Sequence, residues 1–323
     1  MCVMDSHNAN IITPQERLSL RRVIASANGK GGVGKTSVVT NTGTLLADAG
    51  YKVLIVDLDS QKNVAINLGF VNTEADDEGQ GLFNTVLTGT TLQPAKNIRE
   101  NLDVVPGGTQ LNALGDLLVG ESRRGKQQYR GGVARAIASI ADQYDIILID
   151  TPPADHSVHF VDEAMIAARW VIAPLRPERK SVSALQALVR RFNDVADLND
   201  EVQLLGVVIF GVTAGSRMSL AEKDTREDLA SMLGDIAPVF SATVRNVPAA
   251  DADAVRRGMS VVELADAATR QTPFWQALRD GKKQERRITG SANSLAEDYV
   301  ALGSEIVQEL QRQEDLYAAE MEA

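Results

Sequence analysis

An α/β domain, with a mostly parallel twisted sheet flanked by helices on both faces, is the fold that three observations in this sequence predict. Short apolar runs of strand length recur along the chain, helical patterns separate them, and a glycine-rich loop joins the first run to the first helix. The runs lie at residues 22–27, 53–57, 102–105, 146–150, 170–173, 205–210 and 236–240. Most are β-branched or apolar throughout, as strands covered on both faces must be. Between them, residues 38–46, 133–140, 184–192 and 220–233 carry apolar side chains at helical spacing, and Gly50 follows the first of these helices as a C-terminal glycine commonly does. Strand and helix in alternation imply parallel crossovers, which place ligands outside the carboxyl ends of the strands.

The same reading divides the chain into a flexible N-terminal tail (1–20), a core (21–270), a basic loop insertion (271–294), and a C-terminal helix packing on the core with an acidic tail (295–323). The tail is too short to build a core of its own. Arg279, Lys282, Lys283, Arg286 and Arg287 crowd the insertion. Beyond it, Leu295, Tyr299, Leu302, Ile306 and Leu310 form an apolar stripe, with Glu297, Asp298, Glu305 and Glu309 on the opposite face. Aromatic residues make up only 4% of the chain, so the core is aliphatic. Cys2 is the single cysteine, which leaves no internal disulfide or multi-cysteine metal cluster and fits the cytoplasm. The N-terminus has no signal-peptide pattern, and no stretch of about eighteen apolar residues suggests a membrane span. A net charge of −10 argues against a protein coated in nucleic acid, although a local basic patch still binds phosphates on an acidic average.

Gly29-Lys30-Gly31-Gly32-Val33-Gly34-Lys35-Thr36 follows the first strand and opens the first helix, the setting a P-loop requires. Its glycines let backbone N–H groups turn inward around phosphate oxygens, and the helix N-terminus adds positive potential. Lys35 is placed to bridge the β- and γ-phosphates, the Thr36 hydroxyl to ligate Mg²⁺, and Ser37 to complete the nucleotide contacts. Val56-Asp57-Leu58-Asp59-Ser60-Gln61 ends the second strand, and alternation puts Asp57 and Asp59 on one side. They either face the phosphates or cap the next segment. The apolar run 146–149 ends in Asp150-Thr151-Pro152-Pro153, a strand closed by an acid that would hold Mg²⁺ or, on a blander reading, cap the next turn. His156 and His159 lack further metal ligands and are given no role.

Lys30 sets the loop apart, because Lys-Gly-Gly-x-Gly-Lys-Thr resembles the deviant Walker signature of ParA and MinD proteins, of arsenical pump ATPases and of the nitrogenase iron protein. The resemblance is closest to the ParA partition ATPases and runs over roughly 22–310. Residues 102–107 resemble the family's third-strand motif and 173–178 its fifth-strand exit. Residues 57–61 resemble its Asp-x-Asp-Pro-Gln switch, with Ser60 in place of the proline. This resemblance implies a single P-loop domain, ATP and Mg²⁺ as ligands, and a homodimer in the ATP state. In that dimer Lys30 reaches the partner's nucleotide, Asp59 orients the attacking water and Asp57 acts near the metal. It also implies adenine contacts from Asn246 and Pro248, and DNA phosphate contacts from Arg217, Arg245, Arg256 and Arg257.

The activity so implied is an Mg-dependent ATPase for plasmid or chromosome segregation, nucleoid-associated, that binds DNA non-specifically and is released by a ParB-like centromere-binding partner. Alternatives are a ParA-like positioning ATPase for a non-DNA cargo, a nucleotide-shaped repressor or scaffold, and a MinD-like membrane-associated division ATPase. Membrane association needs a basic amphipathic helix, whereas the final helix here is acidic. An iron–sulfur reductase needs cysteine ligands, which Cys2 alone does not supply.

Overall fold

The computed structural model describes residues 12–178, 180–213, 220–271, 279 and 286–322. Eight strands form one sheet: β1 (Val23–Ser26), β2 (Val53–Asp57), β3 (Ala95–Arg99), β4 (Leu102–Val105), β5 (Ile146–Asp150), β6 (Trp170–Leu175), β7 (Gln203–Val212) and β8 (Val239–Arg245). Their order is β3-β4-β2-β5-β1-β6-β7-β8. Every pairing is parallel except that of β3 with β4. The four strands β1, β2, β5 and β6 are buried along their whole length, which is why they read as continuous apolar runs.

One face of the sheet is covered by α4 (Gln80–Thr88), α5 (Gln110–Arg123), α6 (Gly132–Ala138), α7 (Ala154–Ala167), α8 (Ser181–Val195) and α9 (Leu220–Leu233), with α1 (Pro14–Ser19) lying outside against α6. The other is covered by α2 (Lys35–Asp48), α3 (Asn63–Leu68), α10 (Pro248–Arg257), α11 (Val261–Arg270) and α12 (Ala292–Glu322). Two apolar layers thus sandwich the sheet. Gly50 has φ +94 and follows the last turn of α2, as its sequence position suggested.

Several boundaries differ from the sequence reading. Residues 12–20, expected within the tail, include helix α1, whose Thr13 and Glu16 form a reciprocal capping box. Arg17 fastens that helix to the body by donating to the carbonyls of Ile166 and Leu198, each at 2.8 Å. The last strand begins at Val239 rather than 236, because Ile236 is exposed and Pro238 lacks the N–H a ladder needs. Strand β3 escaped notice because Ala-Lys-Asn-Ile-Arg is a polar edge strand with no apolar run. Of the basic insertion, Lys282 and Lys283 lie outside the described residues. Gln271 holds together the two points where the chain leaves and returns, accepting from Ile288 N at 3.0 Å and donating to Arg286 O at 3.1 Å.

Candidate functional site

The loop of residues 27–34 leaves the centre of the sheet from β1 and feeds directly into α2. Gly32 and Gly34 occupy the left-handed region, with φ +70 and +92, where other residues are strained. At Gly34 a side chain would also collide with the Phe210 ring on β7. Gly34 is the N-cap residue of α2 and no side chain caps the helix, so its first N–H groups make the opening a ready anion site. Asn28 steadies the loop, donating to Pro174 O at 2.5 Å and accepting from Lys30 N at 3.0 Å. Arg176 adds a further hold, Nε to Gly32 O at 2.9 Å. Val33 is buried, Gly31 lies against Pro153, and nothing crowds Gly29.

Lys35 is 6% exposed, and its ammonium donates to Lys30 O at 3.1 Å, across the loop. Lys30 is placed differently. Its side chain is 41% exposed, with the ammonium 3.6 Å from Glu178 of the same chain.

Asp57 and Asp150 end neighbouring strands and stand opposite each other in register. The Thr36 hydroxyl donates to Asp150 Oδ2 at 2.6 Å, so the three residues expected to hold a metal converge. Asp57 also accepts from Asp59 N at 2.9 Å and Val64 N at 3.2 Å, while Asp59 accepts from Gln61 N at 2.9 Å. These aspartates therefore do cap the turn into α3, as the blander reading held, and Asp57 does so while lying beside Asp150. Burial, then the neighbouring Asp150 charge, push the Asp57 carboxyl well above the usual carboxylate range. Burial pushes Asp150 up to about 7, against the opposing pull of the Thr36 hydrogen bond and the Lys35 charge. Asp150 Oδ1 is buried without a hydrogen-bond partner. A pair of adjoining buried carboxylates with an open oxygen fits a hard divalent cation such as Mg²⁺.

Residues outside the expected set shape this site. A Cβ at Gly107 would lie 2.7 Å from Asp57 Cγ, so the segment after β4 packs directly on the acidic turn. The 102–107 motif pointed to the segment but not to that contact. Lys62, in the left-handed region with φ +47, pairs with Asp76 at 3.1 Å and with Glu78. Glu78 in turn accepts from the Thr109 hydroxyl at 3.3 Å, so the turn after Asp59 is tied to the segment before α4 and to the start of α5. Its only sequence signal is the acidic run 74–78 downstream of a lysine.

Asn246 and Pro248 are exposed at the carboxyl end of β8, the same end of the sheet as the loop. The arginines expected to hold DNA fare differently. Arg245 is engaged by Asp298, Nε to Oδ2 and Nη2 to Oδ1 each at 2.7 Å, and by Ser294 O at 2.6 Å. Arg256 pairs with Asp253 at 2.6 Å, and Arg257 donates to Arg286 O at 2.6 Å. Arg245 is neutralised by Asp298, whereas Arg256 makes an exposed surface pair and Arg257, hydrogen-bonded only to a backbone carbonyl, keeps its charge. Arg217 lies outside the described residues.

A sequence profile of the AAA domain matches residues 21–204. The chromosome partitioning protein ParA of Caulobacter vibrioides is 30% identical over 252 residues, covering 77% of this chain and 90% of its own. This chain belongs to the ParA/MinD family of P-loop ATPases. Solved structures share the fold of this ParA/MinD-family member. Apo McdA of Cyanothece aligns with a TM-score of 0.61 at 20% identity, covering 76% of this chain and 93% of its own. The septum site-determining protein MinD of Pyrococcus horikoshii, complexed with Mg-ADP, aligns at 0.58 and 20% identity, covering 88% and 96%. In keeping with a family-wide P-loop, the lysines, threonine and aspartates singled out from sequence cluster around one loop. Among the described residues no helix is long and apolar enough to cross a membrane.

Proposed function

We propose that this chain is an Mg²⁺-dependent ATPase of the partition type, which dimerises on ATP and grips DNA without reading its sequence. The observation that carries this reading is the division of labour between two lysines of one loop. Lys35 is turned inward over the phosphate cradle, whereas Lys30 presents a half-exposed ammonium on the outside. One lysine suffices for one nucleotide, so the outer cation is free to serve a second copy, its pairing with Glu178 being a weak surface contact.

Within one chain, the loop N–H groups and Lys35 bind the phosphates, while Thr36, Asp150 and Asp57 would hold the cation. Bound there, Mg²⁺ would neutralise charge on the β- and γ-phosphate oxygens. Asp59, hinged on Asp57 and Gln61, is the group that orients a water for attack. Lys30 of the partner copy supplies positive charge to the γ-phosphoryl group. Asn246 and Pro248 border the base. Loss of the γ-phosphate removes the cation–anion contacts between copies and lets them part.

Since Arg245 is held by Asp298, the DNA grip draws on other cations besides Arg256 and Arg257. Arg123, Arg124 and Lys126 are exposed where α5 gives way to loop, and their side chains form no ion pair among the described residues. Glu121, the nearest acid along the chain, is turned back to accept Gln128 N at 2.8 Å. This patch offers three exposed cations to phosphates. A ParB-like partner would stimulate hydrolysis, and the protein would act in the cytoplasm on the nucleoid.

Lys30→Ala tests the reading. ATP binding by the single chain should persist, and turnover that depends on protein concentration should be lost. Full turnover by this variant contradicts the cross-subunit role. Co-sedimentation with DNA only in ATP favours partition; co-sedimentation with anionic vesicles instead favours the MinD-like alternative.

A further inference from the structure

The turn that carries Asp59 into α3 is closed by a residue in a conformation it does not prefer. Lys62, immediately before α3, has φ +47 and ψ 43, in the left-handed region that disfavours any side chain. Its N–H donates to Asp59 O at 3.1 Å and closes the turn, while its carbonyl accepts from Ile66 N at 3.2 Å and opens α3. Such a backbone persists only where the surroundings fix it, and here the ammonium supplies the fixing. Its nitrogen lies 3.1 Å from Asp76 Oδ2 and pairs with Glu78 as well. Asp76 is no surface acid: its side chain is 1% exposed, and it also accepts from Asn72 N at 2.8 Å and Glu78 N at 3.3 Å. Glu78 O accepts from Gln110 N at 3.0 Å, at the start of α5. On its other side the turn meets Gly107, where a Cβ would lie 2.4 Å from Asp59 O. The Asp59 turn is therefore confined between the segment after β4 and a lysine strap fastened to the segment before α4.

The Asp59 carboxylate belongs to this turn, accepting from Gln61 N, the neighbour of Lys62, at 2.9 Å. A group that orients a water must stand within hydrogen-bond reach of it, and a misplacement of about 1 Å costs on the order of a hundredfold in rate. We infer that Lys62 is a positioning residue for hydrolysis: pinned by Asp76 and Glu78, it holds the Asp59 turn where the carboxylate can orient the attacking water. The inference deepens the ATPase reading above and rests on it. Phosphate binding belongs to other elements, the loop of residues 27–34 and the first turn of α2 with Lys35, Thr36 and Ser37. Cutting the strap should therefore separate turnover from binding.

Steady-state turnover and calorimetric binding of ATP with Mg²⁺, both on the full chain, test it. Lys62→Met keeps the aliphatic stem and removes the charge. It should lower kcat about ten- to a hundredfold, with ATP affinity within about twofold of the wild type, the pattern of a contact that matters only in the transition state. Lys62→Arg still pairs with both carboxylates and should recover most of the rate. Glu78→Gln loosens the strap without leaving a buried charge unpaired, and should lower kcat in the same direction by a smaller factor. In an Asp59→Ala background, Lys62→Met should add little further loss, because the two act on one step. Wild-type turnover in Lys62→Met or in Glu78→Gln overturns the inference and leaves the ATPase reading standing. A loss of ATP affinity that matches the loss of turnover overturns it too, since it would mark a merely structural role. A wild-type chain that binds no ATP, or binds it without hydrolysis, removes the ATPase reading itself, and this inference with it.

Discussion

Asp59 and Glu163 show how differently two buried acids of this chain are employed. Asp59 sits at the rim of the loop site, its backbone N–H held by Asp57 and its carboxylate by Gln61 N, poised on a turn rather than locked in the core. Asp59→Ala should cut ATP hydrolysis roughly a hundredfold or more while leaving ATP bound and the dimer trapped. An unchanged rate in a phosphate-release assay would remove that carboxylate from the mechanism. Glu163, on α7, accepts from Gly131 N at 2.8 Å and Val133 N at 3.1 Å and so caps α6 from inside the protein. Burial outweighs those two hydrogen bonds and pushes its carboxyl up to about 7. A raised carboxyl binds a proton more tightly folded than unfolded, so its contribution is fully present below about pH 4.5 and is lost as pH rises through 7, on the order of 3 kcal/mol. Glu163→Gln should flatten that stretch of the stability curve in denaturant titrations at pH 5, 6, 7 and 8, and an unaltered slope contradicts the assignment. The grouping of the loop lysines with Thr36, Asp57 and Asp150 was legible in the sequence because those residues stand at fixed spacing next to a strand. Glu163 was not, since nothing local distinguishes a capping acid on an apolar helix from a solvated one.

The edge strand β8 shows the same divide for whole elements. Its backbone would be open along one side, but α12 and α9 cover it. Glu305 accepts from Ser241 N at 2.7 Å, from Ala242 N at 2.9 Å and from the Ser241 hydroxyl, and Asp298 accepts from Arg245 N at 3.0 Å. Arg226 of α9 donates to the carbonyls of Phe240 and Ser241 at 2.8 and 3.0 Å. Side chains thus replace the missing neighbour strand and close an edge that would invite pairing with another chain. Glu305→Ala should destabilise the protein by about 2–3 kcal/mol, the worth of hydrogen bonds to a charged acceptor, read as a lowered denaturant midpoint with unchanged slope. A midpoint within error of wild type would show that the edge is held some other way. From sequence, Asp298 and Glu305 looked like the solvent face of an amphipathic helix, and Arg245 looked like a cation for DNA. Periodicity identifies which side of a helix is polar; whether that side meets water or a strand edge depends on elements far away in the chain. The central strands carried the opposite lesson. Burial on both faces requires unbroken apolar runs, so β1, β2, β5 and β6 were visible, while polar β3 was not.

At the scale of the whole molecule, seven parallel strands bring every loop of functional interest to one end of the sheet, with the phosphate loop at its centre. On the partition reading proposed above, the acidic average of the chain would confine DNA contact to local excesses of positive charge, such as the turn after α5. Replacing Arg123, Arg124 and Lys126 together by alanine should lower the salt dependence of DNA binding by a slope of about 3, one for each lost phosphate contact. An unaltered slope in a binding series from low to physiological salt would place the grip elsewhere. The measurement that bears most directly on the shared nucleotide is the mass of the protein in solution, by light scattering, with Mg²⁺ and a non-hydrolysable ATP analogue and again with ADP. The expected result is twice the mass of one chain with the analogue, one chain with ADP, and one chain under both conditions for Lys30→Ala. A single chain in the wild type with the analogue bound would contradict the claim that Lys30 serves a second copy.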